Sequence, residues 1–255
     1  MVLVWRHCVE SRNITCRNAY TPSAEPAMTR RTNARIAGIA YLLYIAVAFP
    51  SMLLSDRATA GNDIAAKVVT MAQHAADIRL TVVLSMVGGF CALVLAVTLY
   101  AITRDQDRDL AMLGLTCRVA EGVIGAASHP ATLGLMSIVT AANSSSSDTG
   151  AVQALAAFVL NQPWTISAWF FALGSTTFSW LLLRGRMVPV WLAWLGVVSS
   201  ALVAIALPLQ IARVLAGPAT QLVWLPVAVF ELVIAVWFIL KGVAPPLEAR
   251  QQEVR

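Results

Sequence analysis

Residues 80–103 read LTVVLSMVGGFCALVLAVTLYAIT and contain no charged side chain. A helix of this length is about 36 Å long at about 1.5 Å per residue, which exceeds the roughly 30 Å thickness of the hydrocarbon core of a bilayer. Apolar residues occur on every side of such a helix, as expected where lipid and other helices surround it. The stretch therefore predicts a transmembrane helix.

Five further segments pass the same test of length and hydrophobicity. The six predicted spans are residues 36–54, 80–103, 110–140 with a break at Pro130, 164–183, 188–211 and 221–240. Only 12% of the 255 residues are charged, whereas a soluble domain has roughly 25%. No segment alternates apolar and polar residues as the strands of a membrane barrel do. The sequence predicts an all-α polytopic membrane protein with six transmembrane helices.

The Lys and Arg residues outside the spans are distributed unequally between the two sides of the predicted membrane. Thirteen lie in residues 1–35, 104–109, 184–187 and 241–255, and four lie on the other side, namely Arg57, Lys67, Arg79 and Arg213. Cytoplasmic loops carry the excess of Lys and Arg. We therefore expect a multi-pass protein of the inner (plasma) membrane with both termini in the cytoplasm.

The formal net charge of +5 is explained by this topology and does not indicate a nucleic-acid partner. The expected partner is the lipid bilayer, and a homo-oligomer or a second membrane protein is left open. Residues 28–243 form the predicted transmembrane domain, and residues 244–255 a cytoplasmic tail. Residues 1–27 lack the apolar stretch of a signal peptide, and the basic segment after Met28 resembles a natural start. They are interpreted as a disordered leader or a mis-assigned start.

Two connections outside the spans have helical character. In residues 62–79, apolar residues recur at helical spacing, which predicts an amphipathic helix capped by Asn62. We interpret it as a connector resting in the lipid headgroups rather than as a lid. Residues 151–160 are apolar but too short to span, so they form a surface helix or prolong the fourth span.

Three ionisable residues lie inside predicted spans at similar depth. At about 1.5 Å per residue, Arg118 and Glu121 lie roughly 12 and 16 Å from the start of the third span, and Glu231 lies about 14 Å from the start of the sixth. A charge at the centre of a span costs about 2.5–3.5 kcal/mol, so the three side chains are expected to meet. We predict that Arg118 bridges the two glutamates. The surplus carboxylate favours keeping one glutamate protonated near neutral pH, and the sequence does not decide which.

The third span carries a polar stripe on one side. At 100° per residue, a sector of about 80° contains Gly114, Arg118, Glu121, Gly125, His129 and Thr132. Small residues allow another helix to approach closely, and we predict that the sixth helix packs on this stripe. His129, beside Pro130 near the outer surface, is a candidate gate or proton-exchange residue. The simpler interpretation is a hydrated interfacial histidine, because one histidine without a second ligand is poor evidence for a metal.

Five stretches resemble the bacterial membrane family known as domain of unknown function 4386. They are ARIAGIAYLLYIAVAF (34–49), DIRLTVVLSMVGGFCALVLAVTLYAIT (77–103), CRVAEGVIGA (117–126), LLLRGRMVPVWLAWLGVVSSAL (181–202) and FELVIAVWFILKGV (230–243). The similarity covers residues 31–243 and implies six spans in a bacterial inner membrane, with no established activity. The recurring Arg and Glu of the family match Arg118 and Glu121, and its last Glu, Trp and Lys-Gly match Glu231, Trp237, Lys241 and Gly242. The leader and the Ser-rich residues 144–147 depart from the family pattern.

Three functions are compatible with these observations. The first is a structural or regulatory membrane protein in which the Arg/Glu/Glu network locks the register of the helices. The alternative is a small carrier or sensor that binds a proton or a small solute at that network. An intramembrane enzyme is the least supported, because the sequence has no HExxH motif, no paired Cys or His and no phosphate loop. We therefore predict no catalytic residue, no metal and no cofactor.

Overall fold

The computed structural model describes residues 29–142, 149–160, 165–215, 217 and 219–244, and within them the chain is helical. The helices are α1 (Arg30–Ala58), α2 (Ile64–Gln73), α3 (Ala75–Thr103), α4 (Arg108–Ala127), α5 (His129–Ala142), α6 (Thr149–Leu160), α7 (Thr165–Arg184), α8 (Val190–Ile211), α9 (Ala219–Leu222) and α10 (Trp224–Leu240). The predicted leader 1–27, the Ser-rich residues 144–147, the start of the fourth span at Trp164 and the tail from residue 245 lie outside the described residues.

Six helical segments of the described chain are long and apolar enough to cross a membrane. They are Arg30–Ala58, Ala75–Thr103, Arg108–Ala141, Gly150–Arg184, Val190–Ile211 and Thr220–Leu240. Large apolar side chains on their outer faces, such as Phe90, Val97 and Ile205, are more than half exposed. An apolar surface this extensive would aggregate in water but is suited to lipid tails. The predicted all-α fold with six membrane-spanning helices is confirmed.

The spanning helices form a closed ring. α1 packs against α3 and α10, α3 against α4, α4 against α7, α7 against α8, and α8 against α10. One core cluster joins buried residues from all six helices, including Tyr41 of α1, Leu95 of α3, Phe178 of α7 and Phe230 of α10. Because lipid tails are as apolar as these side chains, the helices are held by close packing rather than by the hydrophobic effect. The ring places the inward residues of different helices opposite one another.

One end of the ring carries both described ends of the chain. Arg30 forms an ion pair with Asp105, Arg184 lies 3.4 Å from Asp107, and the amide of Ala244 donates to the carbonyl of Met187 at 3.0 Å. Asp107 also caps α4 by accepting from the amide of Leu110 at 3.1 Å. In the described residues this end, which we call the basic end, has eight cations, namely Arg30, Arg31, Arg35, Arg104, Arg108, Arg184, Arg186 and Lys241.

The connection between the first two spans differs from the prediction in two respects. The cap of α2 is Asp63 and not Asn62, since the Asp63 carboxylate accepts from the amide of Ala66 at 2.7 Å. The apolar stripe of α2 is also covered by protein, because Met71 is fully buried in a second cluster with residues of α5 and α6. The stripe therefore packs on α5 and α6 of the protein itself.

The third span consists of two helices that meet at Ser128, two residues before Pro130. α4 ends at Ala127, and the Ser128 hydroxyl donates to the carbonyl of Gly125 at 2.7 Å. α5 starts at His129, so Pro130 lies in the first turn of a new helix, where a missing amide proton costs no helical hydrogen bond. The polar stripe of α4 therefore ends at Gly125.

Candidate functional site

Arg118 and Glu121 lie one turn apart on the inward face of α4. The Arg118 side chain is fully buried and Glu121 nearly so, and Arg118 Nη1 lies 3.0 Å from Glu121 Oε2. Residues three apart share a helix face, so α4 alone brings the two charges together. The ion pair depends on the geometry of one helix and not on a contact between helices.

Two aromatic rings enclose the Arg118 guanidinium. Its central carbon lies 4.8 Å from the centroid of the Phe171 ring on α7 and 5.9 Å from that of Tyr44 on α1. A cation over an aromatic face is stabilised most where water is excluded. Phe171 and Tyr44 therefore compensate in part for moving the cation out of water. Sequence analysis missed both residues, because nothing in their local sequence distinguishes them from other aromatic residues in the spans.

Gly174 of α7 makes room for the aliphatic part of the Arg118 side chain. A Cβ atom at Gly174 would lie 2.9 Å from Arg118 Cγ and 3.2 Å from the carbonyl oxygen of Gly114. Either distance is shorter than side chains normally tolerate, so α7 approaches α4 closely only because residue 174 has no side chain. This glycine was also missed, although the small pair Gly174-Ser175 in an aromatic span was a signal for close helix contact.

Glu121 accepts hydrogen bonds from side chains of two other helices. The Tyr44 hydroxyl of α1 donates to Glu121 Oε1 at 3.0 Å. The Ser167 hydroxyl of α7 donates to the backbone carbonyl oxygen of Glu121 at 2.9 Å. Hydrogen bonds to a charged group contribute about 1.5–3 kcal/mol each, so the carboxylate links α1 to α4. Neither Tyr44 nor Ser167 was predicted from the sequence.

Glu231 of α10 lies near the Arg118–Glu121 pair, and we call these three residues the centre. Glu231 does not form the predicted ion pair with Arg118. Its side chain is buried and within electrostatic reach of Arg118, Glu121 and Tyr41. Arg118 nevertheless forms its ion pair with Glu121, and the described residues contain none between Arg118 and Glu231. Glu121 lies one turn from Arg118 on the same helix, whereas Glu231 comes from α10, which packs on α1 and α8.

The predicted stripe of α4 faces α7 rather than the sixth span. A Cβ atom at Gly114 would lie 3.1 Å from the Phe178 ring, and one at Gly125 would lie 3.4 Å from the Ser167 hydroxyl. Thr132 does not belong to this packed face, since it lies on α5 beyond the break and its hydroxyl bonds back to the Ser128 carbonyl. The prediction that α10 packs on this stripe is wrong.

His129 is not part of the centre. It is half-buried at the start of α5, eight residues and roughly 12 Å beyond Glu121. Among the described residues, no group of three or more His, Cys, Asp and Glu side chains is arranged to hold a metal ion. The structure therefore separates His129 from the residues that it brings together, Arg118, Glu121 and Glu231.

Several buried polar atoms of the centre form no hydrogen bond with the surrounding protein. The buried side-chain atoms without a hydrogen bond in the described part of the chain include five at this centre, namely Nε, Nη1 and Nη2 of Arg118, Oε2 of Glu121 and Oε1 of Glu231. The 3.0 Å contact between Arg118 and Glu121 is thus an ion pair without the alignment of a hydrogen bond. Buried polar groups in proteins nearly always have hydrogen-bond partners. The donors and acceptors left without a hydrogen bond here are numerous enough to bind a small polar molecule or a proton.

A closed ring of six apolar helices around a buried ionic centre defines a polytopic integral membrane protein. The chain belongs to the family described as domain of unknown function (DUF4386), whose match extends over residues 36–242 and includes all the charged residues of the centre. No curated protein and no solved structure matches it.

Proposed function

We propose that this protein is a small carrier or sensor that binds a proton or a small polar solute at a central site formed by Arg118, Glu121 and Glu231. The observation that carries the proposal is the number of buried polar atoms without a hydrogen bond, on Arg118 and Glu231 above all. An unsatisfied buried polar group costs about 1–3 kcal/mol, and more if charged. A bound solute that pairs with several of these atoms recovers that cost, so binding is favoured.

A purely structural role for the network agrees less well with the geometry. A lock of helix register needs ion pairs between helices, with every polar group satisfied. The Arg118–Glu121 pair lies within α4, and Glu231 of α10 makes no ion pair in the described residues. The hydrogen bond from Tyr44 to Glu121 does join α1 to α4, and it supports a structural contribution of Glu121 as the second candidate.

The two glutamates are therefore expected to behave differently. Glu121 and Glu231 are the only glutamates in the described ranges, and both are buried in the centre. Glu121→Gln loses the charge that pairs with Arg118, so its melting temperature in detergent should fall. Glu231→Gln removes a carboxylate that has no paired cation, so melting at neutral pH should stay close to that of the wild type. Each variant is the control for the other.

Infrared spectroscopy tests whether Glu231 binds a proton that exchanges with water. If the site works as proposed, the wild-type protein has a carboxylic-acid C=O band that changes with pH and shifts in D2O. The groups that can influence it are Arg118 and Glu121 of α4 and Tyr41 and Tyr44 of α1, since α8 has no ionisable residue. The band should be absent in Glu231→Gln and present in Glu121→Gln. A large loss of stability in Glu231→Gln, with no exchangeable band in the wild type, would refute the proposal in favour of a structural network.

We further propose that the basic end faces the cytoplasm of a bacterial cell. Among the described residues, eight Lys and Arg lie at that end, against four at the opposite end, Arg57, Lys67, Arg79 and Arg213. This excess supports the assignment through the positive-inside rule. Alkaline phosphatase, which is active only outside the cytoplasm, should be inactive when fused after Arg255 and active when inserted after Asn62. The reverse pattern would place the basic end outside.

A further inference from the structure

We propose that the solute of the central site is a small zwitterion with one carboxylate and one ammonium group, such as a free amino acid, and that Ser175 of α7 and Ser200 of α8 bind it together with Arg118 and Glu231. This inference rests on the proposed function and specifies the chemistry of its solute. The observation behind it is that buried polar atoms of four residues, each on a different helix, lack hydrogen bonds at the same depth.

The hydroxyls of Ser175 and Ser200 are buried and form no hydrogen bond with the described part of the chain. A serine or threonine inside a helix can donate to the carbonyl three or four residues before it, and Thr98, Thr103 and Ser199 do so here. Ser175 and Ser200 do not form that bond with their own helix. Their hydroxyls are therefore available to a molecule in the interior of the ring.

The two serines face each other beside the contact between α7 and α8. A Cβ atom at Gly196 of α8 would lie 2.6 Å from the Ser179 hydroxyl of α7 and 2.5 Å from the Phe230 ring of α10, so three helices meet there. α7 and α8 run in opposite directions, because α7 ends at the basic end and α8 begins there. One turn further from the basic end, the same helix faces therefore present Ser175 and Ser200 to each other.

Arg118 and Glu231 lie at the depth of this serine pair. Counted at about 1.5 Å per residue from the helix ends at the basic end, all four residues lie about 14–15 Å along their helices. Arg118 and Glu231 are also buried and within electrostatic reach of each other. The interior of the ring thus has a polar layer, to which α4, α7, α8 and α10 each contribute a side chain.

The atoms of this layer that lack hydrogen bonds need two kinds of partner. The Arg118 guanidinium has only donors, and a carboxylate is the acceptor that matches its geometry best. Glu231 Oε1 is an acceptor, and the charge of the carboxylate favours an ammonium group as its donor. An acid without an amine would leave Glu231 unpaired, and an amine without an acid would leave the Arg118 donors unpaired. A zwitterion supplies both groups, and the serine hydroxyls can donate to one and accept from the other.

Close helix packing beside this layer limits the size of the solute. A Cβ atom at Gly174 would lie 2.9 Å from Arg118 Cγ, and one at Gly196 would lie 2.6 Å from Ser179 Oγ. α7 is thus in tight contact with both α4 and α8. We therefore expect amino acids with small side chains.

Thermal melting of the full-length protein in dodecyl maltoside tests this assignment. The solutes are glycine, L-alanine and L-serine, together with acetate and methylamine, which each carry only one of the two charges. At least one of the amino acids should raise the melting temperature in a saturable way, whereas acetate and methylamine should not. Glu231→Gln removes the charge that pairs with the ammonium group and should abolish the response.

Ser200→Ala should change stability and binding in different directions. It removes a buried hydroxyl that has no hydrogen bond, so the variant without solute should melt no lower than the wild type. Its apparent dissociation constant for the amino acid should rise about fivefold, the effect of losing one hydrogen bond. Ser175→Ala should behave in the same way. Ser199→Ala is the matched control and should keep the full response, because the Ser199 hydroxyl bonds to the Gly196 carbonyl at 3.3 Å.

Three outcomes would overturn the inference. The first is stabilisation by acetate or methylamine that equals the stabilisation by the amino acids. The second is a lower melting temperature of both serine variants without solute, combined with unchanged affinity, which would show that the hydroxyls only join α7 to α8. The third is no response to any of the amino acids. If the exchangeable Glu231 band were nevertheless present, the zwitterion would be refuted and proton binding would stand; if the band were also absent and Glu231→Gln lost stability, the proposed function itself would fail.

Discussion

Replacing Gly174 by alanine tests whether α7 is packed directly on the Arg118 side chain. The added methyl carbon would lie 2.9 Å from Arg118 Cγ, 3.0 Å from Cδ and 3.2 Å from the Gly114 carbonyl oxygen. The backbone carbonyl belongs to α4, and the Arg118 side chain is fully buried, so neither side can move without disturbing the centre. Either α7 must move away from α4, or the guanidinium must move away from Glu121.

The size of the effect follows from two opposing terms. Overpacking a buried position costs about 1–3 kcal/mol, whereas Gly→Ala within a helix gains about 0.5–1 kcal/mol. The net loss of up to about 2.5 kcal/mol corresponds to a melting temperature lower by up to about 10 °C for a chain of this size. Thermal melting in one detergent, followed by circular dichroism, measures it.

Gly89→Ala is the matched control because it is also a glycine within a spanning helix. A Cβ atom there would have no heavy atom within 4 Å, so only the helix-propensity gain applies and the melting temperature should stay equal or rise slightly. If Gly174→Ala melted as high as Gly89→Ala, Arg118 would not be packed against α7 in the way described.

Two further predictions concern the partners of the ion pair. Tyr44→Phe removes the donor to Glu121 Oε1 and should cost about 1.5–3 kcal/mol, visible as a lower melting temperature; an unchanged value would show that this hydrogen bond contributes nothing. Phe171→Leu should destabilise more than Phe178→Leu by about 0.5–2 kcal/mol, because only Phe171 stacks on the Arg118 guanidinium; equal melting of the two would argue against a cation–π contribution.

The fold and the depth of the charged residues could be predicted because lipid imposes them. A span needs about 20 apolar residues, and the position of a residue within that span gives its depth directly. For this reason, counting along the third and sixth spans was enough to place Arg118, Glu121 and Glu231 at one level. The structure indeed brings these three residues to one centre.

The order of helices around the ring could not be obtained in this way. The depth of a residue in the membrane is one coordinate along its own helix. Which helices are neighbours depends instead on where two helices can approach each other closely. Gly38 illustrates this, since a Cβ atom there would lie 2.6 Å from the carbonyl oxygen of Ala235, so α10 can pack closely on α1 only because residue 38 has no side chain. Gly174 likewise allows α7 to pack closely on α4. Both contacts depend on long-range pairing that one sequence does not reveal, so the predicted bridge from Arg118 to Glu231 was wrong.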